Sequence, residues 1–342
     1  MQLFRKLLLK VVTISNTVLF ISSLLLILTA SFLIVLVEPE TFPTYFDGFW
    51  WVMTTVTTVG YGDYSPVSYG GRAIALVLYI LGIGLIGIII GKVLDRLGKF
   101  RKDREEGNIV YKEKGHYIII GWSHKAEAAV KEMLETDRKA EIVIIDELEK
   151  APLLSENVHY IRGNITTTEV LINANIKEAR AVLVFADERV DNKRLGDGQT
   201  LLIAAAVEAA APNVHTIVEV LEEGHIQNFN HIRVDEFIVS HDTISSLFVR
   251  SAFRKGISNV YNQLLRRAHG DDLYHVPALP QWKTYRDAFQ DLLENGATLI
   301  ADRNNLSINR MLDHEMPPEA ELYVICDNET FNQLQIKFKK EK

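Results

Sequence analysis

The chain has 342 residues, which suggests two or three domains at roughly 100–200 residues per domain. Its 37 basic and 44 acidic side chains give a formal net charge of −7. No basic stripe interleaved with aromatic residues is present, so the sequence does not indicate nucleic acid as a partner. The single cysteine, Cys326, has no partner for an internal disulfide, and we expect it to be a small core residue.

Two apolar segments near the N-terminus are long enough to cross a lipid bilayer. We place these spans at about 11–37 and 73–97, the second with an uncharged core at 73–91. A helix needs about 20 residues to cross the ~30 Å hydrocarbon layer. Basic side chains precede the first span at 5–10 and follow the second at 92–104, whereas the intervening loop is mainly acidic. Since positive flanks stay inside, we expect a multi-pass plasma-membrane protein with both termini cytoplasmic.

A third apolar segment lies between the two spans. Residues 46–57, FDGFWWVMTTVT, are uncharged after Asp47 and make only about three helical turns. That length is too short to cross the bilayer, so we predict a re-entrant pore helix. Non-helical backbone at membrane depth survives only where protein or a water-filled path surrounds it. Several copies of the chain must therefore enclose one axis.

The string TTVGYGD, residues 57–63, follows this helix and precedes the second span. It matches the selectivity-filter signature of potassium channels, and residues 1–98 resemble the pore module of that family. The resemblance implies a homotetramer in which backbone carbonyls replace the hydration shell of K⁺. The glycines suit this arrangement because they adopt unusual backbone angles without a Cβ clash. The implied filter comprises Thr58, Val59, Gly60, Tyr61 and Gly62.

The same resemblance implies residues that support the filter and that bend the second span. Trp50 is expected to donate a hydrogen bond to Asp63, although an interfacial aromatic belt is the competing interpretation of the tryptophans. Many relatives carry a glutamate at the position of Thr54, so no carboxylate pair is expected there. The gating hinge falls at Gly82, while close helix packing is an equal alternative for Gly84 and Gly87. The supporting residues are Trp50, Trp51, Thr54, Thr57 and Asp63.

The remainder of the chain is organised around alternating strand and helix patterns. Residues 99–114 are rich in charge and are predicted to form a solvated linker. Over 115–241, short apolar strands separated by helices predict a parallel sheet covered on both faces, a doubly wound Rossmann-like α/β domain. Residues 242–271 are predicted as crossover helices, either one long helix or a pair. A small α+β lobe is expected at 272–342.

A pore module joined to this fold resembles the potassium channels that carry an RCK domain, the regulator of K⁺ conductance with TrkA-N and TrkA-C parts. The motifs are the GW-S turn at 121–123, RGNIT at 162–166 and EARAVLVF at 178–185. The resemblance implies RCK domains that pair into a cytoplasmic gating ring. Some relatives complete this ring with extra copies of the RCK domain. A ligand that prefers an expanded ring would pull the linkers outward and open the pore.

The first strand of this domain runs into a helix at the place where dinucleotide folds bind phosphate. Of the G-x-G-x-x-G pattern only Gly121 remains, and Asp146 at the end of the second strand suits a ribose-binding acid. We favour an NAD-, ADP- or ATP-like nucleotide here, and an ion or cyclic dinucleotide at the C-terminal lobe is the alternative. The candidate ligand-binding residues are Gly121, Trp122, Ser123, His124, Asp146, Glu147, Gly163, Asn164 and Asp187.

A divalent cation is the other regulator that the resemblance suggests. The positions of the acidic calcium ligands in calcium-gated relatives correspond here to Phe185, Glu219 and Leu221, which leaves Glu219 as the candidate metal ligand. One carboxylate is too few for a cation that takes six to eight oxygens. The acids that follow the fourth strand could compensate, but we interpret them as a solvated loop: Asp187, Glu188 and Asp191.

The sequence therefore predicts a ligand-gated, potassium-selective channel that is not an enzyme. One alternative is a constitutive potassium leak channel in which the RCK domain serves as an assembly scaffold. A membrane-tethered NAD-dependent oxidoreductase is the other, and neither a substrate domain nor a convincing catalytic set supports it.

Overall fold

The computed structural model describes residues 15–265 and 270–341. The chain divides into two compact units, residues 1–103 and 104–342. Parts of two predicted elements lie outside the described residues: 11–14 of the first span and 266–269 of the crossover helices.

The first unit consists of three helices. They are α1 (Asn16–Val37), α2 (Tyr45–Val56) and α3 (Tyr69–Glu105). Helices α1 and α3 are long and apolar enough to cross a membrane. Helix α2 begins at a capping box, in which Thr44 Oγ1 accepts the Asp47 N–H at 3.2 Å and the Asp47 carboxylate accepts the Thr44 N–H at 3.0 Å.

The three helices share one apolar core. Trp51 and Val52 of α2 pack among buried residues of both long helices, including Ile34 and Leu78. Glycine sets the spacing between α1 and α2, because a Cβ added to Gly48 would lie 2.6 Å from Val35 Cγ2. The short helix is therefore held inside the unit.

Helix α3 continues to Glu105, eight residues beyond the expected end of the span at 97 and into the predicted linker. Charge alone does not end a helix, since Lys, Arg and Glu are good helix formers. The chain turns at Gly107, whose φ is +73°. After Gly107 the chain forms backbone hydrogen bonds within the second unit. For example, the Tyr111 N–H donates to Asn173 O at 2.8 Å. Residues 99–105 of the predicted linker are therefore helical.

The second unit begins with a six-stranded parallel sheet. Its strands are β1 (Tyr117–Ile120), β2 (Ile142–Asp146), β3 (Val158–Arg162), β4 (Ala181–Val184), β5 (His215–Val220) and β6 (Glu236–Val239). The spatial order is β3-β2-β1-β4-β5-β6, so the order reverses between β1 and β4. Helices α4 (His124–Thr136), α5 (Thr168–Asn173) and α6 (Lys193–Ala210) connect the strands. Apolar clusters cover both faces, which confirms the doubly wound Rossmann-like prediction.

A helix pair and a small lobe complete the chain. Helices α7 (Ser240–Phe253) and α8 (Ile257–Leu265) are separated at Gly256, whose φ is +93°. The lobe has an antiparallel sheet in the order β7-β9-β8 with two helices, which confirms the predicted α+β lobe. Cys326 is buried in its core, as expected. The elements are β7 (Asp272–Pro277), α9 (Tyr285–Glu294), β8 (Thr298–Asp302), β9 (Glu321–Cys326) and α10 (Asn328–Glu341).

Candidate functional sites: the segment after α2 and the cleft at the sheet edge

The segment that follows α2 has an alternating backbone. Thr58, Gly60 and Gly62 have φ values of +61°, +57° and +75°, and these are every second residue. Positive φ costs a residue with a Cβ of order 1–3 kcal/mol, so Thr58 is strained whereas the glycines are not. Val59 and Tyr61, which alternate with them, are not among the positive-φ residues of the described chain. The segment is therefore neither a helix nor an ordinary strand.

Hydrogen bonds fix the direction of the carbonyl groups in this segment. The N–H groups of Val59 and Gly60 donate to Thr54 O at 2.9 and 3.1 Å, and the Thr58 N–H donates to Thr55 O at 3.0 Å. In a trans peptide the carbonyl points opposite to the N–H. The carbonyls preceding these three N–H groups, those of residues 57–59, therefore face away from the end of α2. One chain presents a row of oxygens on one side.

Trp50 joins the segment that follows α2 to α2 itself. Its Nε1–H donates to Asp63 Oδ2 at 2.8 Å, which confirms the expected hydrogen bond. Its ring also stacks on Tyr61, with centroids 5.8 Å apart and planes 3° apart. Trp51 is placed differently, because it is buried against Phe42 at a centroid distance of 5.4 Å. The two tryptophans therefore have different neighbours within one chain.

The threonine hydroxyls of α2 fold back onto the helix itself. Thr54 Oγ1 donates to Trp51 O at 3.1 Å, and Thr57 Oγ1 donates to Met53 O at 2.7 Å. Each hydroxyl group therefore has its hydrogen-bond acceptor within the same helix. Thr54 thus bonds within its own helix, while the carboxylate of Asp63 accepts from Trp50.

Glu38 is a structural carboxylate that the sequence analysis did not single out. It is 5% exposed and accepts the N–H groups of Val67 at 3.0 Å and Ser68 at 2.7 Å, together with the Ser68 hydroxyl. Burial alone would raise the pKa of Glu38, but the hydrogen bonds from Ser68 and Val67 outweigh it and lower the pKa. A Cβ on Gly71 would lie 2.1 Å from Glu38 Oε1. Glu38 is 29 and 30 residues away from Val67 and Ser68 in the sequence, so only the folded structure reveals that its carboxylate binds their N–H groups.

Gly82, the predicted hinge, lies against the end of α2. A Cβ added to it would come within 2.9 Å of Val56 Cγ2. By contrast, a Cβ on Gly84 or Gly87 would meet no atom within 4 Å in the described chain. The structure thus gives Gly82 a packing contact in addition to any role in bending.

A cavity of about 270 Å³ opens at the carboxyl ends of the parallel strands. Gly121 follows β1 there with a φ of +86°, and its added Cβ would lie 2.8 Å from Phe185 O. The predicted residues that line the cavity are Gly121, Asp146, Glu147, Asn164 and Asp187. The other four do not line it: Trp122, Ser123, His124 and Gly163. Ser123 instead caps α4, accepting the Ala126 N–H at 3.2 Å.

Asp146 is the central acid of this cavity. It is 2% exposed and accepts the N–H groups of Trp122 and Glu147, each at 2.7 Å. Arg189, which the sequence analysis did not single out, places Nη2 3.5 Å from Asp146 Oδ1 and donates from Nε to Asp187 Oδ1 at 2.8 Å. Burial alone would raise the pKa of Asp187, but hydrogen bonds from Arg189 lower it. The cavity therefore holds both signs of charge.

Glu219, the candidate metal ligand, is engaged by protein groups. Its side chain is 5% exposed and forms an ion pair with Lys125, while its Oε2 accepts the Ala186 N–H at 3.0 Å. Within residues 15–265 and 270–341, no group of three or more His, Cys, Asp or Glu side chains could hold a metal ion. The arrangement suits an internal ion pair better than a divalent cation that needs six to eight oxygens.

The two units define a membrane protein whose helical part is followed by a dinucleotide-type domain. Residues 12–99 match a family described as ion channel, and residues 117–240 match the TrkA-N domain. The chain is 34% identical over 287 residues to the putative potassium channel protein YugO of Bacillus subtilis, covering 81% of this chain and 85% of that protein. The chain therefore belongs to the family of potassium channels that join a pore module to a TrkA-N domain.

Two further relatives extend the comparison. The calcium-gated potassium channel TvoK of Thermoplasma volcanium is 29% identical, over 84% of this chain and 85% of that protein. A solved structure of the GsuK channel bound to NAD is 15% identical with a TM-score of 0.46. The structural alignment covers 92% of this chain and 57% of the GsuK chain.

Proposed function

We propose that the chain forms a homotetrameric, potassium-selective pore in the plasma membrane, with both termini cytoplasmic and the backbone oxygens of residues 58–62 as the ion ligands. The observation that carries this proposal is the left-handed backbone at Thr58, Gly60 and Gly62. The hydrogen bonds to the end of α2 add support, because they turn the carbonyls of residues 57–59 to one side, and residues 58 and 59 belong to the proposed ligands. A dehydrated cation needs oxygens all around it, and four such rows about an axis supply them.

The pore proposal is tested by replacing Gly62 with alanine. Its φ of +75° is strained for any residue with a Cβ, so Gly62→Ala should reduce potassium-selective flux by about tenfold or more. The measurement is potassium and sodium flux into liposomes that contain the purified chain. Gly98→Ala is the matched control, because Gly98 lies in α3 with no atom within 4 Å of its added Cβ. Wild-type selectivity in Gly62→Ala would refute the filter assignment.

The second part of the proposal is that a nucleotide regulates the pore from the cavity at the sheet edge. The cavity lies between β1 and β4, where the strand order reverses, and open α/β sheets bind ligands at such points. Asp146 stands at the end of β2, where a ribose-binding acid is expected. The cavity volume of about 270 Å³ is near the lower end of the usual range for small-molecule pockets, and ADP serves as the probe nucleotide.

Calcium gating, as named for the archaeal relative, has less support in this chain. The carboxylate that corresponds to a calcium ligand, Glu219, is paired with Lys125.

RCK domains of neighbouring chains would form the gating ring, with or without extra copies of the RCK domain. In this ring a ligand can open or close the pore only through its different affinity for the two states.

Regulation is tested on the purified full chain. Calorimetric titration with ADP should show binding, and Asp146→Asn should weaken it by about tenfold, because an amide oxygen can accept only one of the two N–H groups that the carboxylate accepts. Flux in liposomes should then change with ADP concentration. Flux that is independent of every nucleotide tested would favour the constitutive leak channel.

A further inference from the structure

The loop between β4 and α6, residues 185–192, folds over the proposed nucleotide site. Its Glu188 carboxylate lies at the beginning of α4, where Oε2 accepts the His124 N–H at 3.1 Å. The first turn of a helix presents unpaired N–H groups and a positive dipole end, and it therefore attracts anions. In dinucleotide folds this is the position of the ligand phosphate. In this chain, a side chain of the protein itself supplies the negative charge.

The next residue, Arg189, lines the cavity itself. Its Nη2 lies 3.5 Å from Oδ1 of Asp146, a carboxylate that is only 2% exposed. The bond from Arg189 Nε to Asp187 Oδ1, at 2.8 Å, holds the guanidinium in place. Ribose hydroxyls would donate to the same acid. A ribose hydroxyl that binds Asp146 Oδ1 therefore competes with Arg189.

The basic residue closest to the beginning of α4 is also paired. Lys125 Nζ forms an ion pair with Glu219 and lies 3.8 Å from Glu188 Oε1. Glu188 therefore satisfies both an N–H group and part of an ammonium charge, as an incoming phosphate would.

We propose that Glu188 and Arg189 form an internal ligand that competes with the nucleotide and determines its chemical class. This inference rests on the proposed nucleotide function. A phosphate displaces Glu188 from α4, ribose hydroxyls displace Arg189 from Asp146, and the released guanidinium pairs with the phosphate. A ligand that lacks phosphate loses two of these three exchanges. Selectivity for phosphorylated nucleosides over nucleosides thus comes from the loop itself.

The internal ligand lowers the apparent nucleotide affinity, because only the fraction of chains with the loop displaced can bind. Glu188→Gln keeps the side-chain size and removes the charge. It should bind ADP about fivefold more tightly than the wild-type chain, the effect expected from one partly exposed charge interaction. Glu135→Gln removes the same charge at the other end of α4, where the side chain is exposed, and should leave the affinity unchanged.

Adenosine provides the complementary test for Arg189. Arg189→Ala frees Asp146, and adenosine has no phosphate that would use the guanidinium, so this variant should bind adenosine about fivefold more tightly. Arg138→Ala is the control, because Arg138 is exposed after α4. Both titrations use the purified full chain and calorimetry.

The outcomes separate this inference from the function on which it rests. If the wild-type chain binds ADP and neither variant gains affinity for its ligand, the internal ligand is wrong and the nucleotide site stands. ADP binding by Glu188→Gln and not by the wild-type chain would support the internal ligand strongly. If neither chain binds ADP, the site and the internal ligand are both refuted.

Discussion

At the scale of single residues, Gly121 shows how the cleft depends on a missing side chain. Its φ is +86° and its added Cβ would lie 2.8 Å from the backbone oxygen of Phe185. Backbone cannot move aside as a flexible side chain can. Gly121→Ala should therefore lower the free energy of unfolding by about 2–4 kcal/mol, from both the strained φ and the steric clash.

Gly115 is the matched control for this prediction. Its φ is also positive, +71°, but no atom lies within 4 Å of its added Cβ. Gly115→Ala should therefore show only the smaller loss that comes from backbone strain, about 1 kcal/mol. Thermal unfolding of the purified full chain, followed by tryptophan fluorescence, compares the two. Equal losses would contradict the close approach of Gly121 to Phe185.

Glu38 gives a second prediction at this scale, on pH dependence. Its folded-state pKa lies below the ordinary value of 4.5, so its stabilisation is present above that value and is lost as pH falls through the folded pKa. Glu38→Gln should lower the free energy of unfolding by about 1–3 kcal/mol at neutral pH, since an amide cannot accept all the hydrogen bonds from Val67 and Ser68.

The difference between Glu38→Gln and the wild-type chain should shrink as the pH is lowered below 4.5. Thermal unfolding midpoints over a pH series measure this difference. Glu40→Gln, at an exposed position two residues later, should differ little from wild type at any pH. A difference for Glu38→Gln that is constant with pH would exclude ionisation as the cause.

At the scale of elements, the contact between α2 and α3 separates two roles for Gly82. Since a Cβ on Gly82 would lie 2.9 Å from Val56 Cγ2, Gly82→Ala should force the helices apart and reduce potassium flux. Overpacking of this kind costs about 1–3 kcal/mol. If close packing is the reason for the glycine, adding Val56→Ala removes the clash and restores flux.

The hinge interpretation gives the opposite result for the double variant. A hinge needs the backbone freedom of glycine, which alanine at 82 removes whatever residue stands at 56. Flux that remains impaired in Gly82→Ala with Val56→Ala would therefore support the hinge. Gly84→Ala, where the added Cβ meets no atom within 4 Å, is the control for a general change in helix flexibility.

The elements also show which features the sequence could predict. Strand β5 occupies residues 215–220 as predicted from HTIVEV, because a short run rich in β-branched residues favours a strand. The bond from Trp50 to Asp63 followed from a motif whose parts lie 13 residues apart. The pair of Lys125 and Glu219 could not be predicted in the same way, because its members are 94 residues apart and only the folded sheet brings them together. The continuation of α3 to Glu105 could not be predicted from the sequence, because charge pattern alone does not mark a helix end.

At the scale of the whole molecule, the proposed filter couples ion binding to assembly. A single chain leaves Val59 and Tyr61 54% and 67% exposed and offers one row of oxygens, so complete ion coordination requires the proposed tetramer. An ion that binds only the assembled state stabilises it by mass action, by about 2.7 kcal/mol when its concentration is 100 times the dissociation constant. Potassium should therefore raise the temperature at which the tetramer dissociates, relative to sodium at equal ionic strength.

The comparison of the two salts isolates the proposed filter, because equal ionic strength screens the charges of the second unit equally. Size-exclusion chromatography after heating measures the fraction of tetramer in each salt. Gly62→Ala, with its strained φ of +75°, should lose the difference between potassium and sodium, and Gly98→Ala should retain it. If the wild-type chain dissociates at the same temperature in both salts, residues 58–62 do not bind potassium in the assembled state. A difference that persists in Gly62→Ala would assign the stabilising ion to another part of the molecule.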